Sequence, residues 1–228
     1  MAKKRIVITG SEGLIGKKLV DHFSDKFEVL KLDLALGHDL TSEDFVSGWF
    51  RANRNLYGMI VCHALNPVPV GKTIKQEPVD TPLEELRQYM EVNALSAFSV
   101  CQNFIRNNMN GTIINIASLY GVVSPRHDIY NNFVKPLGYS MSKAAVIIMT
   151  KYLATYYAPL FRINTVVLGG ISDKKQEDTF VLKYSRHAPV GRMMDIEEVP
   201  PIFELLLDPR STYMTGAEFY VDGGWTAW

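Results

Sequence analysis

Short runs of β-forming apolar residues alternate with longer amphipathic stretches along this chain, and that alternation limits its fold more than any other feature. Arg5 to Thr9, Phe27 to Leu32, Met59 to Ala64, Thr112 to Ala117, Arg162 to Leu168 and Glu218 to Val221 read as strands, with helical patterns in most of the gaps. Strands separated by helices need crossover connections, which are right-handed and join parallel neighbours. The expected architecture is α/β: an open, doubly wound parallel sheet with helices on both faces. At 228 residues the chain is longer than a typical domain of about 150, yet no repeat or low-complexity linker divides it. The Pro-rich stretch from Asn66 to Pro82 interrupts the alternation without separating two compositions, so residues 1–228 read as a single domain.

Twenty-four Lys and Arg balance 24 Asp and Glu. No global field is available to hold nucleic acid or an anionic membrane, and a small-molecule substrate is the expected partner. Cys62 and Cys101 are too few for a disulfide scaffold and lack zinc-site spacing, and His22, His38, His127 and His187 show no ligand spacing, so no metal is expected. No window approaches the 18 or so apolar residues of a membrane span, and the apolar run Ile6 to Ile8 is shorter than a signal-peptide core. A soluble, cytoplasmic protein is the expectation. Asn110-Gly111-Thr112 reads as a turn feeding the next strand.

Two helical segments carry more information. From Glu84 to Asn108 the residues Leu86, Met90, Ala97, Val100, Cys101 and Phe104 recur at helical spacing, with Asn93 on the same stripe. A buried amide there needs hydrogen-bond partners. From Ser140 to Tyr157 the pattern is apolar nearly all round, which suits a helix lying on the sheet with its other side on a partner subunit. A homodimer or homotetramer through the helices containing Asn93 and Tyr139 is therefore expected.

The first strand runs into Thr9-Gly10-Ser11-Glu12-Gly13-Leu14-Ile15-Gly16 and then an amphipathic helix. A pyrophosphate binds the bare amides of a helix N-terminus, where side chains would block it. Gly10 suits the tight turn, Gly13 the approach of backbone to phosphate, and Gly16 the packing of helix on strand. Asp33 ends the second strand, 17 residues beyond Gly16. A carboxylate there accepts from both ribose hydroxyls and repels a 2′-phosphate, which points to NAD(H) over NADP(H). Lys31 blunts that preference if it is free, and Asp33 also fits a plain cap.

Tyr139 and Lys143 stand four residues apart, one helical turn, and so share a face. A phenol with a pKa near 10 is too weak an acid to work near neutrality, and a fixed cation nearby lowers it by about 1–3. Tyr139 can then exchange a proton with an alcohol or carbonyl. Ser118 closes the strand Thr112 to Ala117, at the strand end where open α/β sheets bind ligands, and can bond a substrate oxygen. Taken alone, the Tyr–Lys pair also fits a solvated helix face, and Ser118 a turn cap before Gly121.

In combination these residues resemble a short-chain dehydrogenase/reductase, from Arg5 to the Val221-Asp222-Gly223-Gly224 near the C-terminus. The resemblance implies a Rossmann-type oxidoreductase domain and a catalytic set of Asn93, Ser118, Tyr139 and Lys143. It gives Asn93 a role in a proton relay and Lys143 a second role on the nicotinamide ribose. It puts Asp39 and the backbone of Leu40 against adenine, and Ala64, Gly169 and Ile171 beside the cofactor. Glu12, Ser11, Leu14 and Ile15 join the glycines at the pyrophosphate. Residues 172–192, with Lys174, Lys175, Lys183, Arg186 and Arg192, correspond to a mobile substrate lid whose bases could meet a sugar phosphate, or else to a solvated loop.

The chain departs from the family pattern in places. Cys62-His63-Ala64-Leu65 stands for Asn-Asn-Ala-Gly, which makes His63 a structural neighbour of the cofactor. Leu168-Gly169-Gly170 stands for a turn with Pro-Gly, implying a looser loop. The Gly10, Gly13, Gly16 spacing is that of the longer, epimerase-like branch, against which the chain's length argues. Ser118 and Tyr139 lie 21 apart, an insertion spanning roughly His127 to Pro136 that is expected to wall the substrate site. The insert, Ile129-Tyr130-Asn131-Asn132 to Lys135-Pro136, is similar to dehydrogenases of bacterial surface-glycan and nonulosonic sugar pathways, so a sugar derivative is the expected substrate class. Two other readings are a non-catalytic dinucleotide-binding regulator and a sugar-nucleotide epimerase or dehydratase with retained NAD.

Overall fold

The computed structural model describes residues 2–67, 77–131 and 133–228. Its strands are β1 (Arg5–Thr9), β2 (Glu28–Leu32), β3 (Gly58–Val61), β4 (Gly111–Ser118), β5 (Phe161–Leu168) and β6 (Glu218–Val221). They form one wholly parallel sheet in the order β2-β1-β3-β4-β5-β6. The helices are α1 (Leu14–Phe23), α2 (Glu43–Ala52), α3 (Leu83–Met90), α4 (Ser96–Asn107), α5 (Leu137–Tyr157), α6 (Asp178–His187) and α7 (Pro200–Leu207).

Successive side chains of a strand point to opposite faces, and here both faces are covered. Ile6, Ile8, Ile60, Ile114, Ile116, Val166 and Leu168 pack with Leu19 and Phe23 of α1 and Phe203, Leu206 and Leu207 of α7. Val7, Met59, Val61, Ile113 and Ile163 pack with Phe50 of α2, Val100 and Phe104 of α4 and Val146 and Leu153 of α5. A sheet with no wet face reads as unbroken apolar runs rather than as alternation, which is why its strands stand out in the sequence. A third, aromatic cluster sits beyond the carboxyl ends of β4 and β5, where Tyr89, Tyr120, Ile129, Tyr139, Phe180, Tyr184 and Trp225 enclose one another.

Three elements differ from expectation by more than a residue at one end. β3 stops at Val61 and not at Ala64: the Cys62 amide still reaches Thr9 O at 3.2 Å, but β1 leaves the sheet at Gly10 (φ 63°), so the next residues have no partner there. The single helix expected from Glu84 to Asn108 is α3, one wide π turn over Glu91–Leu95, and α4. The wide turn adds a residue to the helical repeat, so Tyr89 rather than Leu86 or Met90 is the buried residue of α3. α5 begins at Leu137, directly after Pro136, which sets Tyr139 in its first turn instead of ahead of it.

Strand order reverses between β1 and β3, and the crevice outside their carboxyl ends is where open α/β sheets take ligands. The segments after β1, β2, β3, β4 and β5 all gather on that edge. The Asn66 to Pro82 loop contributes Asn66, Pro67 and a short 3-10 turn over Pro78–Asp80, and its remainder, 68–76, lies outside the described residues.

Phe104 is fully buried, edge-on to Phe50 at 6.4 Å and to Phe161 at 6.2 Å. Phe104→Ala should cost about 3–5 kcal/mol, through lost transfer energy plus the cavity left behind, read as a lower urea midpoint with an unchanged slope.

Candidate active site

The turn after β1 is built around backbone. A Cβ on Gly10 would lie 2.6 Å from His63 N, and one on Gly16 only 2.0 Å from Gly10 O. A Cβ on Gly13 would meet nothing closer than Gly10 O at 3.3 Å, so its open side faces the crevice. α1 starts at Gly13 with no side-chain cap, and Ser11 Oγ is buried without a hydrogen-bond partner among the described residues. Glu12 and Leu14 are exposed, while Ile15 packs into the core.

Asp33 follows β2 and binds that turn. Its Oδ2 accepts from Glu12 N at 2.9 Å and its Oδ1 from Ala35 N at 2.8 Å, so it caps the 3-10 turn Leu34–Leu36 and also buttresses the glycine loop. Lys31 is paired with Glu12 at 2.8 Å. Asp39 is exposed, and hydrogen bonds from the Thr41 hydroxyl and amide hold its carboxyl below the usual range. Leu40 puts its side chain in the core, leaving only its backbone toward the edge.

After β3, His63 bridges Thr9 Oγ1 (2.7 Å) and Ser96 Oγ (2.8 Å). The Ser96 hydroxyl donates to Val92 O at 2.6 Å and so accepts from His63 Nε2–H, leaving Nδ1 to accept from Thr9. Burial, aided by Lys143, drives His63 down to about 3, and it stays neutral. This imidazole ties β1, the segment after β3 and the wide turn together. Ala64, next along, is half-buried.

The four residues of the expected catalytic set converge. Asn93 sits in the wide turn, 1% exposed, with its Oδ1 accepting from Leu65 N at 2.6 Å and its Nδ2 donating to Leu65 O (3.1 Å) and Ser142 Oγ (3.0 Å). Ser142 donates to Tyr139 O at 2.9 Å. Ser118 closes β4, accepts from Tyr120 N at 3.2 Å, and lies near enough to the Tyr139 phenol to favour its ionisation. Lys143 Nζ donates to Ile116 O at 2.9 Å, two residues before Ser118.

The electrostatics differ from the spacing argument. Sequence spacing predicts that Lys143 draws the Tyr139 phenol down, but burial dominates and pushes it up, and the influence opposing burial is Ser118 rather than Lys143. Removing water penalises the phenolate. The same burial pushes Lys143 down to about 8.

Beyond β5 the turn is tighter than expected. Gly169 N bonds Val221 O at 2.9 Å and Gly170 N bonds the Tyr184 hydroxyl at 2.6 Å, while Ile171 pairs with Met194. Side chains on either glycine would strike Asp222 or the Tyr184 ring. The turn is pinned because small residues let the aromatic cluster close on it.

The insert and the lid region hold each other. Lys183 of α6 donates to Asp128 O (3.2 Å) and Asn131 Oδ1 (2.8 Å), Asn131 Nδ2 donates to Thr179 Oγ1 (2.9 Å), and Tyr130 stacks on Phe180 at 5.3 Å. Arg192 forms a two-pronged pair with Glu198 at 2.6 and 2.7 Å. Two of the five bases expected to meet a sugar phosphate are therefore spent on protein acceptors, and Lys174, Lys175 and Arg186 are exposed. Asn132 of the insert lies outside the described residues.

Sequence reasoning missed Lys135. It is 8% exposed, donates to Asn66 Oδ1 (2.6 Å) and Pro67 O (2.8 Å), and stands 4.2 Å from the centre of the Tyr139 ring. A lone lysine in a polar loop carries no signal of burial. Among the described residues no three His, Cys, Asp or Glu side chains cluster as metal ligands, and no helix is long and apolar enough to cross a membrane.

Comparisons with known proteins agree with this geometry. A family model described as enoyl-(acyl carrier protein) reductase matches residues 5–226. An uncharacterised short-chain type dehydrogenase/reductase of Sinorhizobium fredii is 27% identical over 96% of the chain, which spans 43% of that relative's length. A D-arabinitol 2-dehydrogenase (ribulose-forming) of Candida tropicalis is 30% identical over 78% of the chain and 65% of the relative. A short-chain dehydrogenase of Leptospira borgpetersenii, solved with bound NAD+, superimposes with a TM-score of 0.87 at 28% identity, covering 99% of this chain and 94% of that one. With the parallel sheet, the glycine turn and the Ser118–Tyr139–Lys143 grouping already in view, the chain belongs to the short-chain dehydrogenase/reductase family of oxidoreductases.

Proposed function

We propose that the chain interconverts an alcohol and a carbonyl with NAD(H), using Tyr139 as the acid–base group. The observation that carries this reading is the convergence of Ser118, Tyr139 and Lys143 at the end of β4, on the sheet edge that also bears the glycine turn. The turn fits a dinucleotide: an uncapped helix start, an open Gly13 and the unpartnered Ser11 hydroxyl suit a pyrophosphate. When bound, the nicotinamide supplies the hydride acceptor or donor.

The protein's own groups do the rest. Ser118 Oγ anchors the substrate oxygen beside the Tyr139 hydroxyl. Tyr139 takes the alcohol proton in oxidation, or gives one to the carbonyl in reduction. Lys143, whose amino group donates to Ile116 O, would hold the ribose of a bound cofactor and offset phenolate charge. Asn93 fixes the backbone of Leu65 and, through Ser142, the turn of helix that carries Tyr139. Tyr139→Phe should lower turnover by about 10²-fold or more while leaving NADH binding intact. Unchanged turnover would reject the mechanism, and no turnover by the unaltered protein on any alcohol or carbonyl would leave a dinucleotide-binding regulator as the reading.

Asp33 remains the group that sets cofactor preference. Both its oxygens are oriented by backbone amides, and Lys31, a cation that could greet a 2′-phosphate, is neutralised by Glu12. Calorimetry should find NADH bound at least about tenfold tighter than NADPH, about 1.4 kcal/mol. Tighter NADPH binding would reverse the assignment.

A sugar or sugar alcohol is the substrate class we favour, supported by the likeness to the D-arabinitol dehydrogenase. Phe98 of α4 and Ile148, Tyr152 and Tyr156 of α5 are exposed at 40–72%. Exposed apolar side chains on both helices support a homo-oligomer, and light scattering should give at least a dimer mass, a strict monomer ending this part of the reading.

A further inference from the structure

Among the described residues Lys135 is a buried cation with no acidic partner. The residues that meet its amino group are Asn66, Pro67 and the Tyr139 ring, and the remaining charge nearby is the like charge of Lys143. A surface lysine in a loop would gain more from water than from two neutral oxygens, so burial here must be supported by another interaction or serve one. The ring beneath it belongs to the residue read above as the acid–base group.

We infer that Lys135 is a positioning residue that raises the phenolate character of Tyr139 from the face of the ring. This rests on the proposed role of Tyr139 as proton donor and acceptor. A phenol presents a weakly negative face to a cation. A phenolate spreads a full negative charge into the same ring and is attracted far more strongly. The ammonium therefore lowers the free energy of the deprotonated state more than that of the protonated one. Its tethers to Asn66 and Pro67 fix it in place, so no side-chain ordering is needed when the charge forms.

The other groups around the phenol do not supply this. Ser118 is neutral, and Tyr89 of α3, Tyr120 after β4 and Tyr130 of the insert each oppose a second negative charge nearby. Among the described residues the other cation near the cluster is Lys143, whose amino group donates to Ile116 O. Among the groups behind Lys143, Cys62 is buried with its thiol pushed up and His63 is neutral. Burial, then Lys143, brings Lys135 down to about 7. Near neutrality Lys135 is therefore protonated in only part of the population, and its ammonium form is the one that acts on the ring. The two groups then titrate as a pair, and deleting the lysine leaves the phenol to ionise alone against its burial.

The test uses full-length protein labelled with 13C at tyrosine Cζ, with the Tyr139 resonance assigned by its loss in Tyr139→Phe. Lys135→Met keeps length and removes charge, and Lys135→Gln keeps a hydrogen-bond donor for Asn66 in case the methionine variant fails to fold. In either variant the Tyr139 titration should move up by about one pH unit or more, and the acidic limb of kcat/KM for alcohol oxidation should move with it. Lys135→Arg should restore both toward wild type. An unmoved titration in folded Lys135→Met or Lys135→Gln overturns the inference even if activity falls, because that result describes a purely structural lysine. Full turnover by Tyr139→Phe would instead overturn the reading on which the inference stands, and the NMR titration still decides whether Lys135 acts on the ring.

Discussion

A sheet covered by helices on both faces admits few polar side chains, and those such as Asn115 and Asn164 are held by Thr150 and Met214 O; nearly everything about this protein follows from that restriction. The inner strands pair their backbone groups in a parallel ladder and fill both layers with Ile, Val, Leu and Met. Polar chemistry is displaced to the carboxyl edge, where chain segments leaving the strands need only satisfy short turns. The glycine turn, Asp33, His63, Asn93 and Ser118 all lie there. Their hydrogen bonds are mostly to backbone, so the site is an extension of the turns that hold the sheet edge together.

Burial does not end at that edge. The aromatic cluster around Tyr120, Tyr130, Phe180, Tyr184 and Trp225 continues over it, and Trp225 stacks on Tyr184 with ring centres 4.3 Å apart. Tyr139 and Lys143 are therefore dry in the absence of any ligand. Dryness penalises both phenolate and ammonium, so it raises the first and lowers the second from ordinary values that lie close together. A phenol held neutral in this way needs positive charge nearby to work as a base near neutrality. The insert contributes twice to this state. Ile129 and Tyr130 seal the cluster, and Lys135 adds charge at the phenol face.

The layered fold was readable because a doubly covered parallel sheet leaves apolar runs at every strand, and Arg5 to Thr9 and Glu218 to Val221 coincide with β1 and β6 to the residue. The glycine turn and the Tyr139–Lys143 helix face were readable because their spacings are local. The wide turn at Glu91–Leu95 was not, since one added residue in a helical repeat leaves composition unchanged. Lys183 and Arg192 were read as free bases although their acceptors, Asn131 and Glu198, come from other segments.

What this sequence determined by itself is whatever short-range periodicity encodes: strands, helices, the phosphate-type turn, and a Tyr and Lys on one helical face. What the tertiary structure alone decided is electrostatic and depends on distant segments meeting. Asp33 became a brace for the glycine loop, Lys31 was neutralised by Glu12, and the Tyr139 phenol was governed by desolvation more than by its near neighbour Lys143. Lys135 became a buried cation over that ring. The reason is physical: the free energy of a charge is set by the water removed from it and by the charges brought near it, and both are properties of packing that no local pattern of residues contains.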